Sequence, residues 1–275
     1  MSEIQSVYYP QSEIHTTLIP VTTGCPYNRC AFCSMYKADT YSEVSLREIE
    51  HELMNGEGYT ERVFLTGADP LSVGFEKIFK ILNLVRKYFP YCGCVAAYAS
   101  VRSLQRYSVY ELKQLHEAGL RLLYVGFETG SDETLKLMKK GHTAAVAARQ
   151  GQKLNEARLA FYAIVMYGIA GEGKGKENAR LTAELMKQIV LAKIITMNLT
   201  VSALTELAEM VKERRFTEAA TQEKLQELKT LITELHMEKS VEIDTTHITN
   251  LIKMTGRLPE DAEKLLDKID ARLSG

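Results

Sequence analysis

The chain has 275 residues, of which 45% are hydrophobic and 25% charged, a composition typical of a globular protein with one large α/β domain or two small ones. Its 34 basic and 35 acidic side chains nearly cancel, which argues against general affinity for nucleic acids or anionic membranes. The N-terminal segment lacks the pattern of a secretory signal, and the longest uncharged apolar run, residues 159–170, is well short of the roughly 20 residues of a membrane span. These features predict a cytoplasmic protein with no membrane and no nucleic-acid partner.

Apolar runs alternate with segments of helical periodicity along most of the chain. The predicted strands are residues 16–21, 62–66, 94–99, 122–127, 158–167 and 194–201, and the predicted helices between them are residues 45–54, 75–88, 108–118, 132–138, 144–157 and 176–191. Ser45 and Glu48 have the spacing of a capping box at the start of the first helix. Repeated strand–helix units predict an α/β fold with a parallel sheet, whose reactive groups lie in the loops after the strands.

The pattern changes after residue 204. Residues 206–237 predict a charge-rich helix, residues 241–253 contain a short strand-like run, and residues 259–273 predict a last helix. We therefore expect an N-terminal lead-in over residues 1–13, an α/β domain over residues 14–204, and a mainly helical C-terminal extension over residues 205–275 that packs on it.

Three of the five cysteines lie close together in the loop after the first predicted strand, at Cys25, Cys30 and Cys33. An odd number of cysteines in a chain without a secretory signal indicates metal ligation or reactivity more than disulfide bonding. Three thiolates on one loop suit a [4Fe–4S] cluster, because they bind three irons and leave the fourth without a protein ligand.

A zinc site is the alternative for the same loop. It requires a fourth ligand, for which the sequence offers His15, His51 or Cys92. Cys92 and Cys94 precede or begin the third strand, at the end opposite the expected site, and we expect them to be buried small residues.

The cysteine loop, with Phe32 directly before its last cysteine, resembles the loop of the radical S-adenosylmethionine (radical SAM) superfamily. It departs from the usual spacing of that family, because four residues instead of three separate Cys25 from Cys30. Three more loops resemble family motifs, each after a predicted strand: residues 66–70 (Thr-Gly-Ala-Asp-Pro), residues 126–132 (Gly-Phe-Glu-Thr-Gly-Ser-Asp) and residues 165–172 (Val-Met-Tyr-Gly-Ile-Ala-Gly-Glu). The second is similar to members related to the elongator catalytic subunit and to oxygen-independent coproporphyrinogen oxidase.

The resemblance covers residues 14–201 and implies a partial (βα)6 TIM-like barrel. It implies that the three loop cysteines bind a [4Fe–4S] cluster, with S-adenosylmethionine at the open iron. It also implies that the loop at Gly67, Ala68 and Asp69 accepts hydrogen bonds from the amino group of the cofactor, although Ala68 and Asp69 replace a Gly and a Glu of the family motif. The same residues also suit an ordinary turn.

For the later loops, the resemblance implies that Glu128 and Ser131 bind the ribose of the cofactor. Gly168, Ile169 and the backbone of Phe32 would lie near its adenine. Each residue also has a structural explanation, since Glu128 suits the start of a helix and Gly168 suits a turn after a strand.

The leading hypothesis is therefore an oxygen-sensitive radical SAM enzyme. The resemblance implies reductive cleavage of S-adenosylmethionine to a 5′-deoxyadenosyl radical, which abstracts hydrogen from a small organic substrate. It implies a reducing partner such as flavodoxin or ferredoxin. Three alternatives stay open: an enzyme of the coproporphyrinogen oxidase branch with a porphyrin substrate, a non-catalytic heme or cluster carrier that has kept the fold, and a structural zinc protein.

The sequence identifies few candidates for the substrate site. Tyr98 and Arg102 lie at the end of the third strand and after it, where Arg102 is expected to pair with a carboxylate. In the extension, His247 is either a substrate or proton-transfer residue or a helix cap, and Thr245 and Thr246 are predicted to cap a following helix.

Overall fold

The computed structural model describes residues 7–56 and 58–274. The chain folds into two compact units. The first contains residues up to 28, residues 35–125 and residues 153–161, and the second contains residues 29–34, residues 126–152 and the chain from residue 162 onward. The cysteine loop is divided between them, because Cys25 belongs to the first unit whereas Cys30 and Cys33 belong to the second.

The secondary structure alternates between strands and helices for most of the chain. Up to residue 128, the strands are β1 (Thr17–Pro20), β2 (Thr22–Thr23), β3 (Ser42–Glu43), β4 (Arg62–Thr66), β5 (Cys94–Ser100) and β6 (Leu120–Glu128), and the helices are α1 (Leu46–Met54), α2 (Phe75–Tyr88), α3 (Val101–Leu104) and α4 (Val109–Glu117). The later helices are α5 (Asp132–Leu137), α6 (Ala144–Glu156), α7 (Gly175–Lys187), α8 (Glu206–Lys212), α9 (Thr221–Glu234) and α10 (Ala262–Ser274), and the later strands are β7 (Ala160–Tyr167), β8 (Lys193–Asn198), β9 (Val241–Asp244) and β10 (Thr255–Leu258). Short 3-10 helices lie at Gln11–Glu13 and Pro70–Val73.

Within the described residues, eight strands form one mostly parallel sheet, in the order β1–β4–β5–β6–β7–β8–β9–β10. In the first unit, Thr17 of β1 lies opposite Val63 of β4 in parallel register. In the second unit, β7 and β8 are parallel with Tyr162 opposite Lys193, whereas β9 and β10 form an antiparallel pair. Consecutive strands with helical connections confirm the predicted α/β fold of the partial (βα)6 barrel type.

Side-chain caps define several helix starts. Ser45 accepts a hydrogen bond from the Glu48 backbone N–H at 3.2 Å, and the Glu48 carboxylate accepts one from the Ser45 N–H at 2.9 Å, so the predicted capping box is confirmed. Ser108 and Glu111 form a second capping box at the start of α4. Over residues 7–56 and 58–274, no helix combines the length and apolar character needed to cross a membrane.

An aromatic cluster packs the middle of the first unit. Phe64 of β4 lies edge-on to Tyr98 of β5, with ring centroids 5.3 Å apart, and edge-on to Tyr124 of β6 at 5.9 Å. Edge-to-face pairs of this kind contribute packing energy beyond the apolar area that they bury. Tyr98, a predicted substrate residue, is therefore part of this cluster.

The C-terminal extension departs from the predicted single helix over residues 206–237. The segment is divided into α8 and α9, and Arg214 between them has a left-handed φ of +57°. The turn buries Phe216, which is only 5% exposed, in an apolar cluster of the second unit. Burial of one aromatic side chain therefore accounts for a break that the charge pattern does not indicate.

The prediction that Thr245 and Thr246 cap a helix is wrong, because a strand, β10, is the next element after them. The Thr245 hydroxyl instead donates to the Ile252 carbonyl at 2.7 Å, and the Thr246 hydroxyl donates to the Asp244 carboxylate at 2.7 Å. The two residues stabilise the turn between β9 and β10.

Helix α9 attaches the extension to the rest of the second unit by packing against α7, and it packs against α10 within the extension. Its buried apolar residues are Leu225, Leu228, Leu231 and Ile232. Two charged residues of the same helix, Lys224 and Glu227, are also buried, at 8% and 2% exposure. Buried charges are uncommon unless they have partners. Lys224 donates to the Leu199 carbonyl and pairs with Glu218, both at 3.3 Å, and the partners of Glu227 lie in the site described next.

Candidate functional site

Two residues with left-handed backbone fix the first part of the cysteine loop. Gly24 has a φ of +60°, and a side chain there would lie 2.8 Å from the Thr40 backbone. Asn28 has a φ of +44°, and its N–H donates to the Cys25 thiol with N and Sγ 3.3 Å apart. Lys37 donates to the Asn28 carbonyl at 3.0 Å. The four-residue spacer after Cys25 thus turns back toward that cysteine.

Backbone hydrogen bonds on both sides of Ala31 hold the second part of the loop in the second unit. The Ala31 N–H donates to the Met138 carbonyl, at the end of α5, at 3.0 Å. The Leu207 N–H of α8 donates to the Ala31 carbonyl at 2.8 Å. Cys30 and Cys33, on either side, are half-buried.

All five cysteines are half-buried. Across residues 7–56 and 58–274, no three His, Cys, Asp or Glu side chains are arranged to hold a metal ion, so cluster ligation by the three loop cysteines stays a prediction. Outside the loop, Arg62 donates to the Cys94 thiol at 3.1 Å, and burial raises the pKa of Cys92 and of Cys94. These two thiols therefore stay protonated at neutral pH.

The loop after β4 approaches β2 so closely that only glycine fits at Gly67. This residue has a φ of +131°, and a side chain there would collide with the Thr22 hydroxyl. That hydroxyl is buried and has no hydrogen-bond partner in the part of the chain that the structure describes. A cavity lined by Thr22, Gly24, Tyr36 and Gly67 lies beside it. An unpartnered buried hydroxyl costs about 1–3 kcal/mol, so this cavity suits a polar ligand.

Asp69, in the same loop, is buried and held by two hydroxyl groups. Its carboxylate accepts hydrogen bonds from Ser100 at 2.5 Å and from Ser103 at 2.9 Å. Ala68, the residue before it, is half-buried. Because Ser100 and Ser103 are neutral, they orient the carboxylate without cancelling its charge.

Glu128, at the end of β6, has a left-handed φ of +64° and forms an ion pair with Lys140 at 2.8 Å. The lysine and glutamate side chains are 13% and 9% exposed, so the pair is buried. Burial by itself lowers the pKa of Lys140, but the charges of Glu128 and of the Cys30 and Cys33 thiols outweigh burial and raise this pKa. Lys140 is therefore a permanent cation beside two of the loop cysteines.

Lys140 also lies near Phe32, with Nζ 5.9 Å from the ring centroid, at the limit of a cation–π contact. Phe32 packs against an apolar cluster that contains Met138, Met166 and Ile169. No sequence pattern distinguishes Lys140 from its neighbour Lys139. The structure does, because Lys139 is exposed and pairs with an exposed glutamate at 2.5 Å.

Ser131, a predicted ribose ligand, caps α5 by accepting a hydrogen bond from the Thr134 N–H at 3.2 Å. The preceding residue, Gly130, packs against α7 so closely that a side chain would collide with the Leu181 backbone. The loop after β6 is thus fixed between α5 and α7. Whether Ser131 also contacts a cofactor stays a prediction.

The loop after β7 meets α9 of the extension. Gly168 has a φ of +78°, and its N–H donates to the Glu227 carboxylate at 2.8 Å. A side chain at position 168 would lie 2.8 Å from the Lys224 side chain. Ile169 is fully buried in the apolar cluster against which Phe32 packs. Glu227 and Lys224 lie in a segment that the family resemblance does not cover.

The substrate candidates lie in different settings, Tyr98 and Arg102 in the first unit and His247 in the second. Burial raises the pKa of Tyr98. The Arg102 guanidinium lies 4.2 Å from the centroid of the Tyr27 ring, and its pairing with a carboxylate stays a prediction. His247 Nδ1 is 2.8 Å from the Thr249 hydroxyl, and burial lowers the pKa of His247, which favours its neutral form at pH 7.

Comparison with known families agrees with this arrangement of motif loops. Residues 19–179 match the model of the Radical SAM superfamily. The match covers more than half of the chain, and the chain therefore belongs to the radical SAM superfamily. It is an enzyme of this class, with a [4Fe–4S] cluster and S-adenosylmethionine as its cofactors. No match was found among curated protein sequences.

Several solved structures have the same fold. Coproporphyrinogen III oxidase (HemN) from Escherichia coli has a TM-score of 0.60 and 16% identity, with 80% of this chain and 52% of that chain covered. Methylornithine synthase (PylB) has a TM-score of 0.58 and 15% identity, with 82% of this chain and 63% of that chain covered. Elp3 from the archaeon Methanocaldococcus infernus has a TM-score of 0.56 and 17% identity, with 92% of this chain and 63% of that chain covered.

The chain thus spans less than two-thirds of the length of each of these three structures. At such identities the likeness shows the fold alone. HemN and Elp3 are the kinds of protein that residues 126–132 resemble, and both are among these structures. The assignment of the chain to their branch of the superfamily stays a prediction.

Proposed function

We propose that Cys25, Cys30 and Cys33 bind the [4Fe–4S] cluster and that the enzyme acts on a small organic substrate by hydrogen abstraction. The observation that supports this proposal is the family match over residues 19–179, which contains the cysteine triplet. When bound, the cluster and S-adenosylmethionine supply one-electron cleavage of the sulfonium C–S bond, leaving methionine and a 5′-deoxyadenosyl radical that takes a hydrogen atom from the substrate.

The residues present fit these cofactors in charge and in shape. Three thiolates on one loop carry negative charge, and the buried Lys140 cation, which interacts with Cys30 and Cys33, offsets part of it. The Asn28 N–H at the Cys25 thiol adds a hydrogen bond of the kind that tunes cluster potentials. The chain thus stabilises the reduced, more negative state of a cluster at this place.

The cavity beside Gly67 suits the amino-acid part of S-adenosylmethionine. Thr22 offers a buried hydroxyl that has no partner among the described residues, and Asp69 offers a negative charge to the ammonium group. For the nucleoside part, we propose Glu128 and Ser131 as the ribose ligands. The proposed contacts to the adenine are Phe32, Gly168 and Ile169. Both assignments rest on the family resemblance.

The substrate stays unidentified, and Tyr98, Arg102 and His247 are proposed to contact it. We also propose a reducing partner such as flavodoxin or ferredoxin, which supplies the electron for each cleavage. We also propose a cytoplasmic location, because reducing compartments keep the cysteines that would bind a cluster in their thiol form. The comparisons lend no support to the alternative of a non-catalytic heme or cluster carrier.

The test is anaerobic reconstitution of the wild type, Cys30→Ala and Cys92→Ala with iron and sulfide. After reduction with dithionite and addition of S-adenosylmethionine, 5′-deoxyadenosine is quantified by mass spectrometry. We expect the wild type and Cys92→Ala, the matched control, to hold iron, absorb visible light and form product. Cys30→Ala should stay folded by circular dichroism and lose all three signals.

Two results would contradict the proposal separately. Full iron content and unchanged visible absorbance in Cys30→Ala would refute the ligand assignment. A fully loaded wild-type cluster that forms no 5′-deoxyadenosine would refute the reaction.

A further inference from the structure

A buried hydrogen-bond network within the second unit begins at Glu227 of the C-terminal extension. This carboxylate is 2% exposed, and both of its oxygens accept hydrogen bonds. One accepts from the Gly168 N–H at 2.8 Å, and the other accepts from the Asn178 side-chain amide at 2.7 Å. Glu227 thus links α9 to the loop after β7 and to α7.

The network continues from α7 to the loop after β6. The Thr129 hydroxyl donates to the Asn178 amide oxygen at 2.5 Å and accepts from the Ser131 N–H at 2.9 Å. The Thr182 hydroxyl accepts from the Gly130 N–H at 3.1 Å and donates to the Asn178 carbonyl at 2.7 Å. One continuous set of hydrogen bonds therefore joins two of the four motif loops.

The direction of each hydrogen bond requires a carboxylate at position 227. Both partners of Glu227, the Gly168 N–H and the Asn178 amide, are donors, so each carboxylate oxygen must accept. Glutamine has the same size but presents one N–H2 group, which would face a donor. A buried acid is expensive for a fold to keep, and packing alone would favour an apolar residue such as leucine.

We infer that Glu227 is a positioning residue for the cofactor site, which holds the loop at Glu128–Ser131 and the loop at Gly168–Ile169 in one arrangement. The inference rests on the proposed function, since the role of these two loops in binding S-adenosylmethionine comes from it. It assigns to the C-terminal extension a part in cofactor binding that the family motifs do not contain.

The charge state of Glu227 makes the inference testable by pH. Burial raises its pKa to about 7, a shift that the hydrogen bonds from Gly168 and Asn178 oppose. The charged neighbours on its own helix act in opposite directions, since Glu223 raises this pKa and Lys224 lowers it. From β7, Tyr167 also faces it, with its own pKa raised to about 12.

Two opposite pH trends follow. Because the folded-state pKa of Glu227 is raised, its contribution to folding stability is full below about pH 4.5 and is lost as the pH rises through about 7. The two loops, by contrast, are held best when the carboxylate is ionised, so affinity for S-adenosylmethionine should rise between pH 6 and pH 8. A residue with a structural role alone would not produce this second trend.

The experiment compares the full-length, cluster-loaded wild type with Glu227→Gln and with Glu234→Gln as the matched control. Glu234 lies on the same helix and pairs with Arg180 at the surface, 3.5 Å away. Equilibrium dialysis with S-adenosylmethionine at pH 6 and pH 8 measures affinity. We expect Glu227→Gln to bind about tenfold more weakly at pH 8 and to lose the pH trend, with the control unchanged.

Hydrogen–deuterium exchange at one pH, without S-adenosylmethionine, measures the network itself. Glu227→Gln should raise exchange in residues 128–131 as well as in residues 167–171. Thr129→Val, which breaks the far end of the network, should raise exchange in residues 128–131 and weaken binding, and Thr129→Ser should restore both. This second pair keeps the inference testable if Glu227→Gln does not fold.

An increase in exchange confined to residues 167–171, or unchanged affinity and pH trend in Glu227→Gln, would overturn the inference and leave the proposed function intact. A loaded wild type that does not bind S-adenosylmethionine would instead overturn the proposed function. The two failures are therefore distinguishable.

Discussion

The loop after β4 and the loop after β6 each carry one buried carboxylate, and the two are held in opposite ways. Asp69 accepts hydrogen bonds from the neutral Ser100 and Ser103 hydroxyls, whereas Glu128 pairs with the Lys140 cation. The two hydroxyl groups at Asp69 carry no charge to offset that of the carboxylate, whereas Lys140 offsets the charge of Glu128. An acidic residue in a motif does not by itself show which charge the loop presents to a ligand.

The difference also sets how each loop responds to mutation. Removal of one partner from a buried ion pair leaves an unpaired charge, which costs about 3–5 kcal/mol. Loss of one neutral hydrogen bond costs about 1 kcal/mol. Mutations around Glu128 should therefore lower the free energy of unfolding more than mutations around Asp69 do.

The largest effect is expected for Lys140→Met, which removes the cation of the buried pair. With a cluster bound, loss of a unit charge that interacts with Cys30 and Cys33 should make the reduction potential of the cluster more negative, on the order of 100 mV. The same change leaves Glu128 unpaired and should lower the free energy of unfolding by about 3 kcal/mol. A redox titration followed by electron paramagnetic resonance and thermal unfolding measure the two effects.

The control is Lys139→Met, one residue earlier, where the lysine pairs with Glu206 at the surface. Exposed ion pairs contribute about 0–1 kcal/mol, so both measurements should stay near the wild-type values. Equal potentials in Lys140→Met and Lys139→Met would show that the charge of Lys140 does not act on the cluster.

A smaller effect is expected for Asp69→Asn, which removes charge and keeps hydrogen bonding. The Ser103 and Ser100 hydroxyls can rotate to match an amide, so the variant should retain its fold and its cluster. S-adenosylmethionine affinity should fall about tenfold, or about 1.4 kcal/mol. Ser103→Ala keeps the charge and loses one hydrogen bond, so its affinity should stay within about threefold of the wild type. Unchanged affinity of Asp69→Asn in equilibrium dialysis would count against the ammonium assignment.

The fold of the first two-thirds of the chain could be predicted because its strands are buried apolar runs. The bounds of β4, Arg62–Thr66, and of α2, Phe75–Tyr88, coincide with those predicted from the sequence. The extension could not be predicted as well, because the break between α8 and α9 depends on burial of Phe216. Strand β10 has the sequence Thr-Gly-Arg-Leu, which has one β-branched residue, contains a glycine and lacks the alternation that indicates a strand.

The residues of the candidate site likewise fall into two groups, those that could be predicted from the sequence and those that could not. Residues that belong to motifs, such as Asp69 and Glu128, are visible in the sequence because their neighbours form a pattern. Lys140 is one of two adjacent lysines, and Glu227 is one of several acids on a charged helix. Their roles depend on which side of the helix or loop becomes buried, and that selection is made by tertiary packing.

The smallest effect is expected for Ser131→Ala, which tests whether the loop after β6 acts through this hydroxyl or only through its backbone. Loss of the cap on α5 should cost about 1 kcal/mol of unfolding free energy. The control is Ser108→Ala, which removes the cap of α4 outside the motif loops. It should lower the unfolding free energy by the same amount, so the two variants can be compared at equal stability.

Affinity for S-adenosylmethionine separates the two caps. If Ser131 binds the ribose, its loss should weaken binding about threefold, whereas Ser108→Ala should bind as the wild type does. Equal affinities in the two variants would make Ser131 a cap alone. The ion pair of Glu128 and the network through Thr129 would then be the means by which this loop acts, because the Asp132 side chain accepts a hydrogen bond from the Ala144 N–H instead.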